Sequence, residues 1–286
     1  MIHVIVPVFN RLKFTNKCLL SLKKQINFKE LNIIVVDDGS TDGTSEYLKI
    51  NFPEITVLNG SGTLFWGGAI SLGVEHVIKV SKSKDWVLLV NNDVELSPNA
   101  ISNLIRISEK KDRNVLVSAI TVSAEDKTTI ITTGTIVKSW FLNITKHVYK
   151  GLSLDKITNK EPIEVDFLTG RSLLHPVEIF DQVGNYDAKT FSHYGADDEF
   201  SMRVKKYGYF TLLCPSSIVF LHTNEQNLLK KRRNFKNLFF TLFGKKSSSN
   251  IINKFNLSVK VVPFYAKVSY FIIGIMKSLY IFFRNN

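Results

Sequence analysis

The stretch "NIIVVDDGSTDGT", residues 32–44, sets an apolar run against two adjacent aspartates and a glycine-rich turn. From Asn32 to Val36 the run lacks polar alternation, the pattern of a strand buried on both faces in a parallel sheet. Asp37 and Asp38 end it, and Gly39, Ser40, Asp42 and Gly43 turn the chain at once. Paired carboxylates at the end of a buried strand ask for a reason beyond the turn.

Outward from this stretch, apolar runs at 2–8, 55–58, 85–91 and 114–120 predict further strands. Helical patterns cover about 13–25, 43–51, 68–82 and 97–110, with Thr41-Asp42 and Ser97-Pro98 as entry signals. Alternating strands and helices predict an α/β fold with a mostly parallel sheet. Such sheets bind ligands beyond the carboxyl ends of their strands. Pro7-Val8-Phe9-Asn10 ends the first strand and Asn91-Asn92-Asp93 another. Any one of these is a turn or helix cap; three at one end of a sheet predict a site.

The second half is less regular. Weak alternation over 128–150 predicts β structure, 151–162 reads as a polar loop, and short strands flank Gly170. "GADDEFSMRVKKYG", 195–208, reads as a helix with acids at its start and bases at its end, which suits the helix dipole.

The chain has 37 basic and 25 acidic residues. Twelve of the basic ones and no acid lie in 226–286, so 1–225 is balanced and the whole net charge of +12 sits in the tail. The neutral first part, and the long apolar runs among the tail's charges, argue against nucleic acid as partner. Cys18 and Cys214 form no metal or redox spacing and fit a reduced compartment. The opening "MIHVIVPVFN" carries no basic leader, so no signal peptide is expected.

"IVPVFNR", "IIVVDDGSTDGT", "WGGAISLG", "LLVNNDVEL", "FLTGRSLL" and "GADDEFSMRVKKYG" occur in the order and approximate spacing of one family. Over residues 2–222 the chain resembles the inverting, nucleotide-sugar-dependent glycosyltransferases of family 2, and within it bacterial rhamnosyltransferase-like enzymes of cell-surface polysaccharide assembly such as O-antigen. The resemblance implies a GT-A domain over 1–224, with a nucleotide part to about 120 and an acceptor part beyond, followed by a basic helical tail at 225–286.

The resemblance also implies roles. A nucleoside-diphosphate sugar would meet Asp38, with Asp37 left open, in a pocket shaped by Pro7 and Asn10. Trp66, Gly67, Gly68, Asn92 and Gly170 would line the donor or acceptor pocket, although a glycine pair before a helix also serves plain packing. "NND" stands where the family has its Asp-x-Asp metal motif, making Asp93 the ligand for Mn²⁺ or Mg²⁺ and His222 a second one, against a purely structural reading of that histidine. Counting back from Arg203 gives Asp197 as the base, with Asp198 adjacent and Ala196 where a glutamate is usual; capping of the helix is the plain alternative.

In the tail, Lys267, Tyr270, Gly274, Lys277 and Ser278 fall along one narrow face of an otherwise apolar helix. That predicts a helix lying on the cytoplasmic face of the membrane with lysines at anionic headgroups. A membrane span, and packing as a dimerisation or core helix, are the alternatives. For the whole chain the rivals are a nucleotidyltransferase, which lacks its glycine-rich basic loop here, and a catalytically degenerate glycan-binding scaffold.

Overall fold

The computed structural model describes residues 1–26, 28–157, 159–222 and 235–284. The basic run Lys230 to Arg233, part of the tail's charge, lies outside the described residues.

The first half alternates strands and helices in the predicted way. β1 (Ile2–Val8), α1 (Leu12–Lys23), β2 (Leu31–Asp37), α2 (Thr44–Asn51) and β3 (Thr56–Asn59) lead into α3 (Phe65–Val80) and β4 (Trp86–Val90). Then come β5 (Val94–Leu96), α4 (Ala100–Glu109) and β6 (Val115–Ser123). The irregular middle holds β7 (Ile130–Thr132), β8 (Thr135–Ser139), β9 (Ile144–His147), β10 (Ile163–Glu164), β11 (Ser172–Pro176) and α5 (Ile179–Val183). Last are α6 (Ala196–Lys206), β12 (Phe210–Leu221), α7 (Phe235–Phe243), α8 (Ile251–Lys260) and α9 (Lys267–Arg284).

The central sheet runs β10-β12-β6-β11-β4-β1-β2-β3, with β5 on β12 and β7 on β6. β1 is parallel to both β2 and β4, and β2 to β3, whereas β11 runs antiparallel between β4 and β6. The sheet is therefore mixed, parallel over β4-β1-β2-β3 and again between β6 and β12. From β1 the chain winds outward to β2 and β3, then crosses back to β4 on the other flank. That reversal opens a crevice at the carboxyl ends of β1 and β4.

Period-two alternation explains why these strands lack polar residues. Val4 and Val6 pack with Leu19, Leu22, Ile101 and Leu104 from α1 and α4. Ile5 and Ile34 face the other way, onto Ile70 and Val74 of α3. Both faces are covered, so both parities must be apolar.

The tail folds back on the domain. Lys260 of α8 pairs with Asp187, and Asn256 donates to the Thr190 carbonyl at 3.5 Å. On α9 the face of Tyr270, Gly274, Lys277 and Ser278 meets the β8–β9 hairpin: Asn143 Nδ2 donates to the Tyr270 carbonyl at 3.2 Å, and Lys277 Nζ donates to the Asn143 carbonyl. Gly274 and Ser278 are buried. Tyr270, Gly274 and Ser278 of that face thus turn toward the domain, while Lys277 stays exposed with its amine on the Asn143 carbonyl. The hairpin, separated by more than a hundred residues, offers the carbonyls that Lys277 would otherwise find in solvent.

Candidate active site

The loops after β1 and β2 are tied to each other before any ligand is considered. Asn10 N–H donates to Ser40 Oγ at 2.7 Å, and Asn10 Oδ1 accepts from Thr41 N–H at 2.8 Å. Leu12 N–H, an open donor at the start of α1, reaches Asp42 Oδ2 at 2.9 Å. Asp37 accepts from Ser40 N–H at 2.9 Å and Ser45 Oγ at 2.5 Å, closing its own turn. Asp38 gathers the next loop: its Oδ1 accepts from Gly62 and Leu64 N–H at 2.8 and 3.2 Å, its Oδ2 from Phe65 N–H at 3.0 Å. A carboxylate has about four acceptor positions, so each aspartate keeps some capacity for a ligand while bracing the pocket wall. Pro7 lies buried within β1 opposite Val36.

Four elements meet at the crevice floor. Trp66 Nε1 at the start of α3 donates to Asn91 Oδ1 after β4 at 2.8 Å. Gly170, just before β11, lies against the indole so closely that a Cβ there would stand 2.2 Å from Trp66 Cζ2. Gly170 N–H in turn donates to Asp197 Oδ2 at the start of α6, 3.3 Å away. Trp66, Asn91, Gly170 and Asp197 are one linked set.

Asn92 is not part of it. Its Nδ2 donates to the buried Thr15 Oγ1 at 3.0 Å, against α1, while the neighbouring Asn91 joins the linked set. Consecutive residues at a strand end face opposite ways. Gly67 and Gly68 also serve packing. A Cβ on Gly67 would lie 2.3 Å from the Phe191 carbonyl, and one on Gly68 3.0 Å from Leu64 Cβ.

Asp197 and Asp198 are half-buried neighbours in different surroundings. Burial raises the pKa of both. Asp197 offsets this with N–H donors from Gly170 and Asp198 and with the nearby Arg171 guanidinium, all favouring its ionised form. Asp198 has none of these and faces the charge of Asp197 as well, so it is pushed up to about 8. The donors around Asp197 favour its ionised form and the surroundings of Asp198 favour its neutral form, which suits a base beside a protonated partner. Glu199 differs again: it holds Arg203 in two hydrogen bonds of 2.8 Å, while Arg203 reaches the Val183 carbonyl at 2.7 Å. That pair fixes α6 to the segment after α5.

Asp93 brings a different feature. Its Oδ2 accepts from Arg11 at 3.3 Å, but its Oδ1 is buried without a hydrogen-bond partner. His222 is adjacent, its backbone N–H donating to the Asp93 carbonyl at 2.9 Å, and its Nε2 lies 2.5 Å from Glu95 Oε1. Among the described residues no three acidic, histidine or cysteine side chains converge into a full metal cage. An orphaned carboxylate oxygen does fit Mg²⁺ or Mn²⁺, which take one or two protein ligands and complete their shells with phosphate and water. Glu95 escaped the sequence reading although its i, i+2 spacing from Asp93 marks it. It orients the His222 ring as a metal's outer partners do. Arg11 and Arg171 lie within the quoted "IVPVFNR" and "FLTGRSLL" but were assigned no role there.

The sequence profile described as "Glycosyl transferase family 2" matches residues 3–173. An N-acetylglucosaminyl-diphospho-decaprenol L-rhamnosyltransferase of Mycobacterium tuberculosis is 25% identical over 213 residues, 68% of this chain and 67% of that one. In structure the chain is similar to GalNAc-T7 with UDP, GalNAc and Mn²⁺, at TM-score 0.63 and 15% identity, covering 95% of this chain and 53% of the other. It is also similar to the mannosyltransferase PcManGT of Pyrobaculum calidifontis, at TM-score 0.57 and 14% identity, covering 98% and 73%. The likenesses to solved structures establish the GT-A fold; the profile, spanning more than half of the chain, shows that this protein belongs to glycosyl transferase family 2.

Proposed function

We propose that the protein is a metal-dependent, inverting transferase moving a sugar, rhamnose first among candidates, from a nucleoside diphosphate to a hydroxyl of a lipid-linked cell-surface glycan. The observation that carries this is the linked set of Trp66, Asn91, Gly170 and Asp197 at the strand ends, with Asp198 beside it raised by burial and by the charge of Asp197. The choice of rhamnose and of a lipid-linked acceptor is supported by the printed function of the mycobacterial relative.

In this reading the acceptor hydroxyl attacks the anomeric carbon while the bond from that carbon to the diphosphate oxygen breaks. Asp197, ionised, takes the hydroxyl proton. Asp198 stays protonated and spares Asp197 the repulsion of a second negative charge. Trp66 presents a flat face for the sugar, held by Asn91. Asp93 and His222 would hold a divalent cation, which supplies charge stabilisation for the leaving diphosphate. Arg11 neutralises the other oxygen of Asp93.

The enzyme works, in this proposal, on the inner face of a bacterial cytoplasmic membrane. Phe264–Arg284 is 21 residues long and apolar enough to cross a bilayer. With its polar face packed on the hairpin, α9 exposes Val268, Ile272, Met276 and Tyr280, one every fourth residue. α8 packs on α9 and exposes Ile252, Phe255 and Val259; α7 touches both and exposes Phe239 and Phe243. A helix anchored by its polar side and apolar outside fits a lipid surface lying along it better than a span, which would need Lys277 to leave its carbonyl partner.

Thermal unfolding with UDP-, dTDP- and GDP-sugars, each with Mn²⁺, Mg²⁺ or EDTA, tests the transferase reading. A donor at about a hundred times its dissociation constant stabilises by roughly 2.7 kcal/mol. One nucleotide class should shift the transition and EDTA should remove the shift. Absence of any shift in folded protein would sink the reading.

A further inference from the structure

The segment between α7 and α8 passes over the loops that the two strand-end motifs build. Lys246 Nζ lies 5.2 Å from the ring centre of Phe9 and 5.8 Å from that of Phe65; Lys245 Nζ lies 5.7 Å from Phe65. Phe9 follows β1, and Phe65 is the residue whose N–H is held by Asp38. Both lysines are exposed, and among the described residues neither has a carboxylate within 4.0 Å. Lys205, by contrast, has two and Lys260 has one.

Two further nitrogen-bearing side chains, His193 and Arg11, stand close by. The His193 ring stands 6.0 Å from Phe65, and its Nδ1 is buried without a partner. Burial, then the charges of Lys246 and Arg11, keep His193 below its ordinary pKa, so both cations lie within electrostatic reach of the ring. Lys246 also lines a cavity of about 340 Å³ with Tyr194, Ser247 and Ser248. The backbone here is forced: Asn10, Arg11 and Phe65 have φ of 57°, 64° and 54°, a left-handed conformation that non-glycine residues rarely adopt. Strain of this kind collects where a ligand is bound.

Two exposed lysines with no carboxylate within reach among the described residues suit an anion, and they sit over the nucleotide-side loops rather than over Asp197. We propose that Lys245 and Lys246, supported by Arg11 and His193, bind the diphosphate of the sugar donor, so that the segment joining α7 to α8 caps the donor pocket. The proposal rests on the transferase reading above and extends it by giving the basic tail a second task beside the membrane. Diphosphate could also come from a polyprenyl-linked acceptor. The position over Phe9 and Phe65 selects the donor.

The test uses the full chain in detergent or lipid discs and the probes UDP, GDP, dTDP, the corresponding nucleosides, and farnesyl diphosphate. Dissociation constants are measured for wild type, K245A/K246A and K245R/K246R, each first shown to have the wild-type unfolding temperature without ligand. For whichever nucleoside diphosphate wild type binds, the alanine pair should weaken affinity about tenfold or more and flatten its salt dependence. Nucleoside affinity should stay unchanged, and the arginine pair should restore binding. Unchanged diphosphate affinity, or an equal loss for the bare nucleoside, overturns the proposal while leaving the transferase reading intact. Loss confined to farnesyl diphosphate moves the lysines to the acceptor and overturns it too. Wild type binding no nucleoside diphosphate at all removes the transferase reading, and the proposal with it.

Discussion

At the scale of single residues, two neighbouring carboxyls do different work because their hydrogen bonds differ. Asp197→Asn keeps the shape and the Gly170 contact but loses the base. Donor binding should persist, and transfer should fall by about 10²–10⁴-fold, read as turnover with a soluble acceptor analogue. Near-normal turnover would remove Asp197 from that role. Asp198 affects stability with a defined sign. Its usual value is 3.8 and its folded value about 8, so the folded chain keeps a proton that the unfolded chain has lost. Stability therefore declines as pH rises between these values and levels off above them. Asp198→Asn should flatten that decline and raise the melting temperature at pH 8 by roughly 2–4 °C, part of the full effect being screened by solvent. An unchanged pH profile would show that Asp198 ionises freely. Asp197 was legible in sequence because its distance to Arg203 is a helix-borne count. Asn91 was not, because choosing between adjacent asparagines needs the parity of a strand end, which only the partner strands fix.

At the scale of elements, the strands and helices of the first half follow their sequence patterns within a few residues, since each buries a continuous apolar face. The short strand β5 escaped, having three residues and no period to read, whereas β7 falls inside the 128–150 stretch read as β structure. The narrow polar face of α9 was visible too, but its direction was not. The sequence shows which residues share a side and is silent about what that side meets, here the tip of the β8–β9 hairpin. Gly170 tests how elements are joined at the site. In Gly170→Ala the new Cβ must displace Trp66, which breaks the indole's bond to Asn91 and loosens α3 from β4. We expect turnover to drop at least tenfold with a stability loss of about 1–3 kcal/mol, measured by activity and denaturant titration on one preparation. A variant as active as wild type would mean that the indole does not hold the sugar.

At the scale of the whole molecule, the sheet, the site and the three C-terminal helices form one arrangement in which the tail touches both ends of the chemistry. Its first turn brings lysines over the nucleotide loops, and its last helix brings Tyr270 near Asp198, whose charge, after burial, pushes the phenol up to about 12. The membrane reading is tested on the outward side alone. Ile272→Asp with Met276→Asp alters exposed positions, so the fold should survive while binding to vesicles of anionic lipid is lost, as judged by sedimentation. Persistent pelleting of the folded variant would assign this face to another partner, with a second copy of the chain the next to examine by light scattering.

The inward anchoring of α9 bears on how such an enzyme finds its substrate. A protein seated along a bilayer and fixed through Lys277 and Asn143 cannot tumble; it searches sideways, in two dimensions, with its crevice at a constant height above the lipid. Its rate would then follow the mole fraction of acceptor in the surface rather than its bulk concentration. Diluting the acceptor with inert lipid at constant total acceptor would slow the reaction. The grip of one helix on one hairpin would thereby set the dimensionality of the kinetics.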